Sequence, residues 1–245
     1  MNDTFRSYAT FYDRIYSSRA HDRITEETVR LLAKHGVMSG SLLDLGCGTG
    51  THASLFEKKG FAYKGADRSE QMIGIARTKL PKKDAFIVSS FAELNLEKKY
   101  DAIISMFHVL SYQTDDQSVS DFFSCLHRHM HSHSVAIVDF WSGPAVKADG
   151  PHVSQRTFKD EEGEFRKSVV PLASSAFPIF DLEMRIEELS PASGHPEIRE
   201  IHSMRCFFAD ELEKFAQKSG LHIVEKDIRD NDWNGWIVLR QGKNL

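Results

Sequence analysis

The chain has 245 residues, 41% of them hydrophobic, with a formal net charge of −4 and a pI near 6.3. The length suits one α/β domain with an insertion, and the slightly acidic balance lacks the basic footprint of a nucleic-acid-binding protein. The three cysteines are widely spaced, the start does not resemble a leader peptide, and nowhere do about eighteen apolar residues run together. We therefore expect a cytoplasmic protein without a disulfide framework, a zinc site or a membrane anchor.

Strand-like and helix-like segments alternate along the first part of the chain. Apolar spacing predicts a helix at 23–32, and a break at 36–40 separates it from a first strand at 41–45. The next helices are predicted at 51–59, 69–77 and 119–130, and the next strands at 61–66, 84–88, 100–105 and 134–139. This alternation predicts an α/β fold with a mostly parallel sheet and helices on both faces.

The segment 143–207 breaks the alternation. Gly-Pro pairs at 143–144 and 150–151 predict turns, and strand-like runs follow at 153–158, 165–172, 180–189 and 198–207 with no clear helix. Apolar and charged residues alternate over 180–187, as in a sheet with one buried face. We predict an antiparallel subdomain at 143–207, inserted into a core of 1–142 and 208–245, that walls the ligand site or forms a dimer surface. The core then ends in a helix at 210–219 and an antiparallel hairpin of strands at 221–227 and 233–239.

Three glycines at alternate positions, Gly46, Gly48 and Gly50, follow the first predicted strand. A backbone without Cβ atoms can turn sharply off a strand and lie against a ligand. Asp67, at the end of the second strand, can accept both hydroxyl protons of a ribose. The pattern Gly-x-Gly-x-Gly, with Asp44 two residues ahead, differs from the nicotinamide fingerprint Gly-x-Gly-x-x-Gly. The stretch therefore predicts a site for an adenosine-type cofactor.

The stretch from Asp44 to Gly50 resembles the first motif of the class I S-adenosylmethionine-dependent methyltransferases, Asp/Glu-x-Gly-x-Gly-x-Gly. That resemblance implies a Rossmann-like sheet of seven strands and S-adenosylmethionine as cofactor. The blocks at 12–19, 105–112 and 138–141 resemble the bacterial N-methyltransferases that act on amino groups of nucleotide-linked deoxyaminosugars. This likeness covers most of the chain and implies in-line methyl transfer to such an amino group.

The motif and the resemblance together predict the residues that contact the cofactor. Arg19 matches an arginine suited to the methionyl carboxylate, and Met106 a residue beside the amino-acid part. Ser90 stands where the family has an acid, so it would bond the adenine amino group more weakly, and Arg23 stands where the sugar enzymes tend to have an aromatic residue. The predicted set is Arg19, Arg23, Asp44, Gly46, Cys47, Gly48, Gly50, Asp67, Arg68, Met72, Ser90, Phe91 and Met106.

The acceptor side is predicted from fewer residues. By resemblance Tyr16 belongs to the acceptor pocket, although a lid over the cofactor is an equal alternative. His108, just beyond the fourth strand, is the candidate general base, against the alternative of a histidine packed at a strand end. Tyr12 and Trp141 are predicted to contact the substrate. Basic residues of the insertion could bind a diphosphate or be surface charge: Lys147, Arg156, Arg166 and Arg185, of which Arg156 is our predicted substrate contact.

Several alternatives stay open. His127 and His131 have a spacing that can hold a metal on a helix, but cations at a helix end complement its dipole, so no metal is predicted. The predicted partner is a small-molecule acceptor rather than a nucleic acid or a membrane, with a homodimer through the inserted sheet as a further expectation. Another small metabolite, methylated on nitrogen or oxygen, is the main alternative. A cofactor-binding protein without turnover, favoured by Ser90, and a nicotinamide oxidoreductase are the others.

Overall fold

The computed structural model describes residues 7–17, 21–82, 84–174, 176–189 and 197–242. The helices are α1 (Ala9–Tyr16), α2 (His21–Lys34), α3 (Ala53–Lys58), α4 (Glu70–Lys79), α5 (Asp116–His129), α6 (Gly143–Asp149) and α7 (Ala209–Lys218). The strands are β1 (Gly40–Leu45), β2 (Phe61–Asp67), β3 (Phe86–Val88), β4 (Tyr100–Ser105), β5 (Met130–Ser142), β6 (Ser154–Asp160), β7 (Gly163–Pro171), β8 (Ile179–Glu188), β9 (Ile198–Phe207), β10 (Leu221–Asp227) and β11 (Asn234–Gln241).

One continuous sheet runs through this part of the chain in the order β3-β2-β1-β4-β5-β9-β8-β7-β6. Strands β1 to β5 are parallel, and β11 pairs antiparallel with both β5 and β10. These seven strands confirm the predicted seven-stranded, mostly parallel sheet and its terminal hairpin. At its carboxyl end β5 changes neighbour, since Trp141 and Ser142 pair with β9. The antiparallel strands therefore continue the sheet beyond the carboxyl end of β5.

Alternate residues of the core strands pack against different helices, as expected for a parallel sheet covered on both faces. Leu43 of β1 lies in a cluster with buried residues of α5 and α7. Its neighbour Leu42 lies in a second cluster with residues of α2, α3 and α4. The predicted helices on both faces are thereby confirmed, and the loops at the carboxyl ends of the strands stay open to form a site.

Strands β6 to β9 form the predicted antiparallel sheet. The alternating residues Leu182, Met184 and Ile186 of β8 are all buried. They join Phe11 and Ile15 of α1 in a third apolar cluster. Helix α1 is thus packed against the inserted antiparallel sheet.

Two local predictions are wrong. The two Gly-Pro pairs are predicted to mark turns in a segment without a helix, but they lie at the two ends of α6. Proline is suited to the first turn of that helix, and Gly150 ends it with a φ of 70°. Its residues Ala145 and Val146 are buried, which stabilises so short a helix. Met130 does not continue the preceding helix, because its backbone is extended and begins β5 beside Tyr100.

Candidate functional site

A cleft of about 440 Å³ lies at the carboxyl ends of β1, β2 and β4. Its volume is within the range of small-molecule sites, about 300–1,000 Å³. The glycine loop and the ends of β2 and β3 form one half, and α1, the loop after β4 and the inserted sheet form the other. Open parallel sheets bind their ligands at this edge.

The glycine loop adopts a conformation that other residues would strain. Gly46, Gly48 and Gly50 have φ values of 79°, 54° and 67°. A Cβ at Gly46 would lie 2.5 Å from a methyl of Val109, and one at Gly50 would lie 2.8 Å from the ring of Phe86. At Gly48 no atom lies within 4 Å of an added Cβ, and this residue lines the cleft. Gly46 and Gly50 therefore allow tight packing, while Gly48 leaves room for a ligand.

Asp67 holds the loop and faces the cleft. Its Oδ2 accepts the backbone N–H of Gly48 at 2.9 Å, and its Oδ1 accepts the N–H of Ser69 at 2.9 Å. Burial raises the pKa of this carboxyl, against the lowering effect of those two amides. Each carboxylate oxygen keeps a lone pair that can accept a ribose hydroxyl. The open cradle at Gly48 beside this acid fits an adenosine-type cofactor.

The opposite side of the cofactor half is formed by residues that follow β2 and β3. Arg68 and Met72 follow β2, Ser90 and Phe91 follow β3, and all four line the cleft. The ring of Phe91 meets Phe122 of α5 edge-on at 5.1 Å, so it is fixed as an apolar wall. Ser90 donates its hydroxyl to Glu93 at 2.7 Å, which leaves its oxygen lone pairs able to accept from an adenine amino group.

The loop after β4 carries Met106 and His108 into the cleft. Phe107 and His108 both have left-handed φ values, 65° and 63°. Asp139, at the end of β5, compensates for this strain by accepting both backbone N–H groups, at 2.8 and 2.6 Å. His108 Nε2 lies 2.9 Å from Oδ1 of Asn234, so this nitrogen carries the hydrogen and Nδ1 can accept one.

Helix α1 closes the cleft from the front and is tied to the glycine loop. Asp13 accepts the hydroxyl of Thr49 at 2.6 Å, and its other oxygen lies 2.6 Å from Nζ of Lys79. Tyr12 and Tyr16 line the cleft, with ring centroids 4.8 Å apart. The Tyr16 hydroxyl accepts a hydrogen bond of 2.7 Å from Lys167 of the inserted sheet. Both parts of the protein therefore position these tyrosines.

Some predicted residues are not brought to the cleft. Arg23 is 74% exposed on α2 and lies beside Glu27, and Arg156 lies on the exposed edge strand β6, so the structure supports neither as a contact. Asp44 is buried behind the glycine loop, where it accepts the hydroxyl of Tyr63 at 2.7 Å, and Gly50 acts through packing. Arg19 lies outside the described residues.

The remaining basic residues predicted to bind a diphosphate also lie away from the cleft. Lys147 belongs to α6. Lys147, Arg166 and Arg185 are not among the described residues that line the cleft. Arg166 pairs with Glu187, and Arg185 with Glu183.

Cys47 does line the cleft, but burial raises the pKa of its thiol well above its usual value, so the thiol stays protonated.

Several cleft residues were missed by the sequence analysis. Tyr8, Tyr112 and His202 face the acceptor half, with Met184 and Met204 from the inserted sheet. They come from α1, the 3₁₀ turn Leu110–Tyr112 and two antiparallel strands. Only the aromatic density near the N-terminus gave a local signal for any of them.

A pair of histidines was missed as well. His21 Nε2 lies 3.1 Å from the carbonyl oxygen of Tyr16, and its Nδ1 lies 3.3 Å from Nε2 of His52. His52 Nδ1 in turn lies 2.9 Å from the hydroxyl of Thr25. This chain of hydrogen bonds connects the end of α1 to α2 and to the glycine loop.

Within the described ranges, no three histidine, cysteine or acidic side chains come together as metal ligands. None of the helices in those ranges has the length and apolar character that a bilayer crossing needs.

Comparison with known proteins adds a family match. A family model described as a methyltransferase domain matches residues 16–226. The chain is 26% identical over 219 residues to the dTDP-3-amino-3,4,6-trideoxy-alpha-D-glucopyranose N,N-dimethyltransferase of Streptomyces venezuelae, covering 88% of this chain and 90% of that protein.

Two solved structures show the same fold. The crystal structure of Streptomyces venezuelae DesVI matches with a TM-score of 0.83 and 23% identity, covering 96% of this chain and 98% of that one. An S-adenosylmethionine-dependent methyltransferase from Clostridium acetobutylicum ATCC 824 matches with a TM-score of 0.80 and 17% identity, covering 98% and 99%. The likeness extends over the inserted antiparallel strands as well as the core.

Proposed function

This chain belongs to the methyltransferase-domain family, and we propose that it uses S-adenosylmethionine to methylate the amino group of a nucleotide-linked aminosugar. One observation carries the choice of acceptor. A relative named for such an activity aligns over 88% of this chain and 90% of its own length. The aromatic acceptor half of the cleft supports the proposal, since rings and thioethers suit the apolar face of a deoxysugar.

The residues proposed to hold the cofactor act by shape and hydrogen bonding. Asp67 accepts the ribose hydroxyls, Gly48 lets the backbone approach, and Phe91 and Met72 enclose the adenine. Bound S-adenosylmethionine supplies a methyl group on a sulfonium, which is already a good leaving group. The protein therefore has to hold the acceptor in line, and such positioning contributes about 7–11 kcal/mol in well-oriented cases.

The acceptor amine is proposed to lie between Tyr16, His108 and Trp141. Trp141 is buried, its backbone is fixed by the Ser111 hydroxyl at 2.9 Å, and its ring lies 6.5 Å from that of His108. Tyr16 orients the amine, and His108 is the proposed general base, since its Nδ1 can accept a proton. Together these two roles provide an unprotonated nucleophile that is held away from water.

The nucleotide part is proposed to lie at the mouth of the cleft. Of the described lining residues, Arg68 is the one arginine or lysine. A diphosphate buried inside would need more cationic partners than this. The sugar can therefore enter the cleft while the charged part stays near solvent.

We also propose a homodimer through the inserted sheet, and a cytoplasmic location. Strand β6 is an edge strand whose outer side can pair with a second copy. The three cysteines are free thiols, which suits a reducing compartment. Light scattering that finds only monomers at high concentration would rule out the dimer.

The function is tested with methyl-labelled S-adenosylmethionine and a set of defined acceptors. The probes are dTDP-3-amino-3,4,6-trideoxyglucose, dTDP-glucose as its hydroxyl counterpart, the free aminosugar, and a simple amine. We expect label on the amino group of the first probe and none on dTDP-glucose. Transfer to a hydroxyl probe alone, or tight cofactor binding without transfer to any probe, would contradict the proposal.

A further inference from the structure

A chain of three polar side chains lies in the wall of the acceptor half. The hydroxyl of Tyr112 lies 3.0 Å from Nδ1 of His202, and Nε2 of His202 lies 3.4 Å from Oε2 of Glu200. Tyr112 and His202 both line the cleft, yet His202 is only 1% exposed. The imidazole therefore lies in the wall of the cleft and is shielded from bulk solvent.

Glu200 is held in place independently of the histidine. Its Oε1 accepts the backbone N–H groups of Ser7 and Tyr8, at 2.8 and 2.9 Å. This leaves Oε2 facing Nε2 of His202, which favours the tautomer with the hydrogen on Nε2 and a lone pair on Nδ1. A carboxylate in this position orients an imidazole and stabilises the imidazolium that forms when it takes a proton.

The phenol completes the chain. Burial is the main cause that raises the pKa of Tyr112 well above its usual value, so its hydroxyl keeps its proton. It can therefore donate to Nδ1 of His202 while its oxygen can still accept a hydrogen bond. A phenol in this state can receive one proton and pass on another.

We propose that Tyr112, His202 and Glu200 form a proton relay that takes the proton from the acceptor amine, in addition to any role of His108. This inference rests on the proposed amino acceptor. In this relay Tyr112 contacts the acceptor directly. His202 and Glu200 do not contact the acceptor, and they act through Tyr112.

The proton count of the relay balances. The ammonium form of the acceptor gives its proton to the oxygen of Tyr112 as the phenol proton moves to Nδ1 of His202. The amine becomes neutral, the phenol stays neutral, and the imidazole becomes an imidazolium beside Glu200. After the methyl group forms its bond to nitrogen, the product is again an ammonium, so the same path serves each methyl transfer. The imidazolium then loses its proton to solvent before the next transfer.

Other ionisable groups face this chain and belong to the same pH response. From α1, the ring of Tyr8 meets His202 edge-on at 5.5 Å, and its hydroxyl lies 3.3 Å from that of Tyr16. From β7, Lys167 lies over the ring of Tyr8 at 5.6 Å. Arg68 and Tyr12 also act on Tyr112 electrostatically.

The kinetic test compares His202→Gln and Tyr112→Phe with wild type, using dTDP-3-amino-3,4,6-trideoxyglucose from about pH 6 to about pH 9. Glutamine keeps a hydrogen-bonding side chain but cannot accept the proton. We expect kcat to fall about 10²-fold near neutral pH in both variants, and the loss to shrink as pH rises because more amine is then free of its proton. Glu200→Gln, which keeps an oxygen for the α1 amides, should lose less.

Two controls separate chemistry from structure. His133→Gln changes an exposed histidine at the start of β5, outside the cleft, and should leave kcat unchanged at every pH. Cofactor affinity measured by calorimetry should be the same in His202→Gln and wild type. A loss in His202→Gln that is equal at every pH, or no loss at all, would overturn the relay.

A second measurement does not depend on the acceptor. Nitrogen NMR of wild type labelled on histidine, with His202→Gln for assignment, should show His202 with its hydrogen on Nε2. A hydrogen on Nδ1 would overturn the relay even in an active enzyme. If no probe is methylated but the Nε2 tautomer is found, the proposed acceptor is wrong, and the arrangement of Tyr112, His202 and Glu200 still stands.

Discussion

The carboxylate of Asp139 accepts the backbone N–H of His108 at 2.6 Å and holds that residue in the left-handed region, with a φ of 63°. The same carboxylate binds the N–H of Phe107, so one buried acid fixes two consecutive strained residues. Strain of this kind persists only where the surroundings support it. Asp139 therefore shapes the cleft without lining it.

We expect Asp139→Ala to lower the free energy of unfolding by about 3 kcal/mol, because two hydrogen bonds to a charged group are lost. Methyl transfer should fall with it, since the loop carrying Met106 and His108 is released. Urea unfolding and kcat measure the two effects. Asp149→Ala, an exposed acid on α6, is the control, and a loss no larger than in this control would show that the loop holds its own shape.

Substitution of Gly48 should separate cofactor binding from folding. Gly48→Ala and Gly36→Ala both place a Cβ at positive φ with no atom within 4 Å, so each should cost about 1 kcal/mol of stability. Of these two glycines, Gly48 lines the cleft and Gly36 does not. We expect calorimetry to show weaker S-adenosylmethionine binding in Gly48→Ala alone. Equal affinity in both variants would place the cofactor elsewhere.

The tie between α1 and the glycine loop should affect the cofactor indirectly. Asp13→Ala removes the bonds to Thr49 and Lys79, and we expect an affinity loss of up to about fivefold, because partly exposed pairs are worth about 1 kcal/mol or less. Hydrogen exchange in α1 should also become faster. Glu57→Ala breaks a comparable pair, with Lys82, away from the cleft. If Asp13→Ala and Glu57→Ala changed cofactor affinity equally, the tie between α1 and the glycine loop would not support cofactor binding.

The free energy of unfolding should depend on pH through the ionisation of Asp44. Burial is the main cause that raises the pKa of Asp44 from 3.8 to about 7. The folded protein then binds a proton that the unfolded chain releases, so this contribution is present below about pH 4 and is lost as pH rises through about 7. Asp44→Asn keeps an oxygen for the Tyr63 hydroxyl and has no charge to bury.

We expect Asp44→Asn to be more stable than wild type by up to about 4 kcal/mol at pH 8, and by a smaller amount, about 1.6 kcal/mol, at pH 5. Urea unfolding at both values measures this. Asp84→Asn, at an exposed acid, should follow wild type. A variant that is less stable at pH 8 would mean that the ionised Asp44 is favourable in the fold.

The cofactor half of the cleft could be predicted because its residues follow one another along the chain. Gly46, Gly48 and Asp67 belong to one strand-loop-helix-strand unit, where the motif alone fixes their places. Arg23 could not be judged in this way, since its place on the exposed side of α2 depends on how that helix packs.

The acceptor half depends on pairings between distant strands. His202 faces Leu182 in the β8–β9 register, and Tyr112 reaches it from a 3₁₀ turn ninety residues earlier in the chain. In the sequence, His202 is one polar residue in an alternating strand, and nothing local shows which face it takes. Helix α6 was missed for a related reason, because the burial of Ala145 and Val146 comes from the tertiary structure.

The most direct test is a crystal structure of the protein with S-adenosylhomocysteine and dTDP-3-amino-3,4,6-trideoxyglucose. We expect the ribose hydroxyls on Asp67, the backbone of Gly48 against the nucleoside, and the sugar nitrogen within hydrogen-bonding distance of the Tyr112 or Tyr16 hydroxyl. A nucleoside bound away from Asp67, or a sugar bound outside the cleft with its amine facing solvent, would contradict the site and the acceptor together.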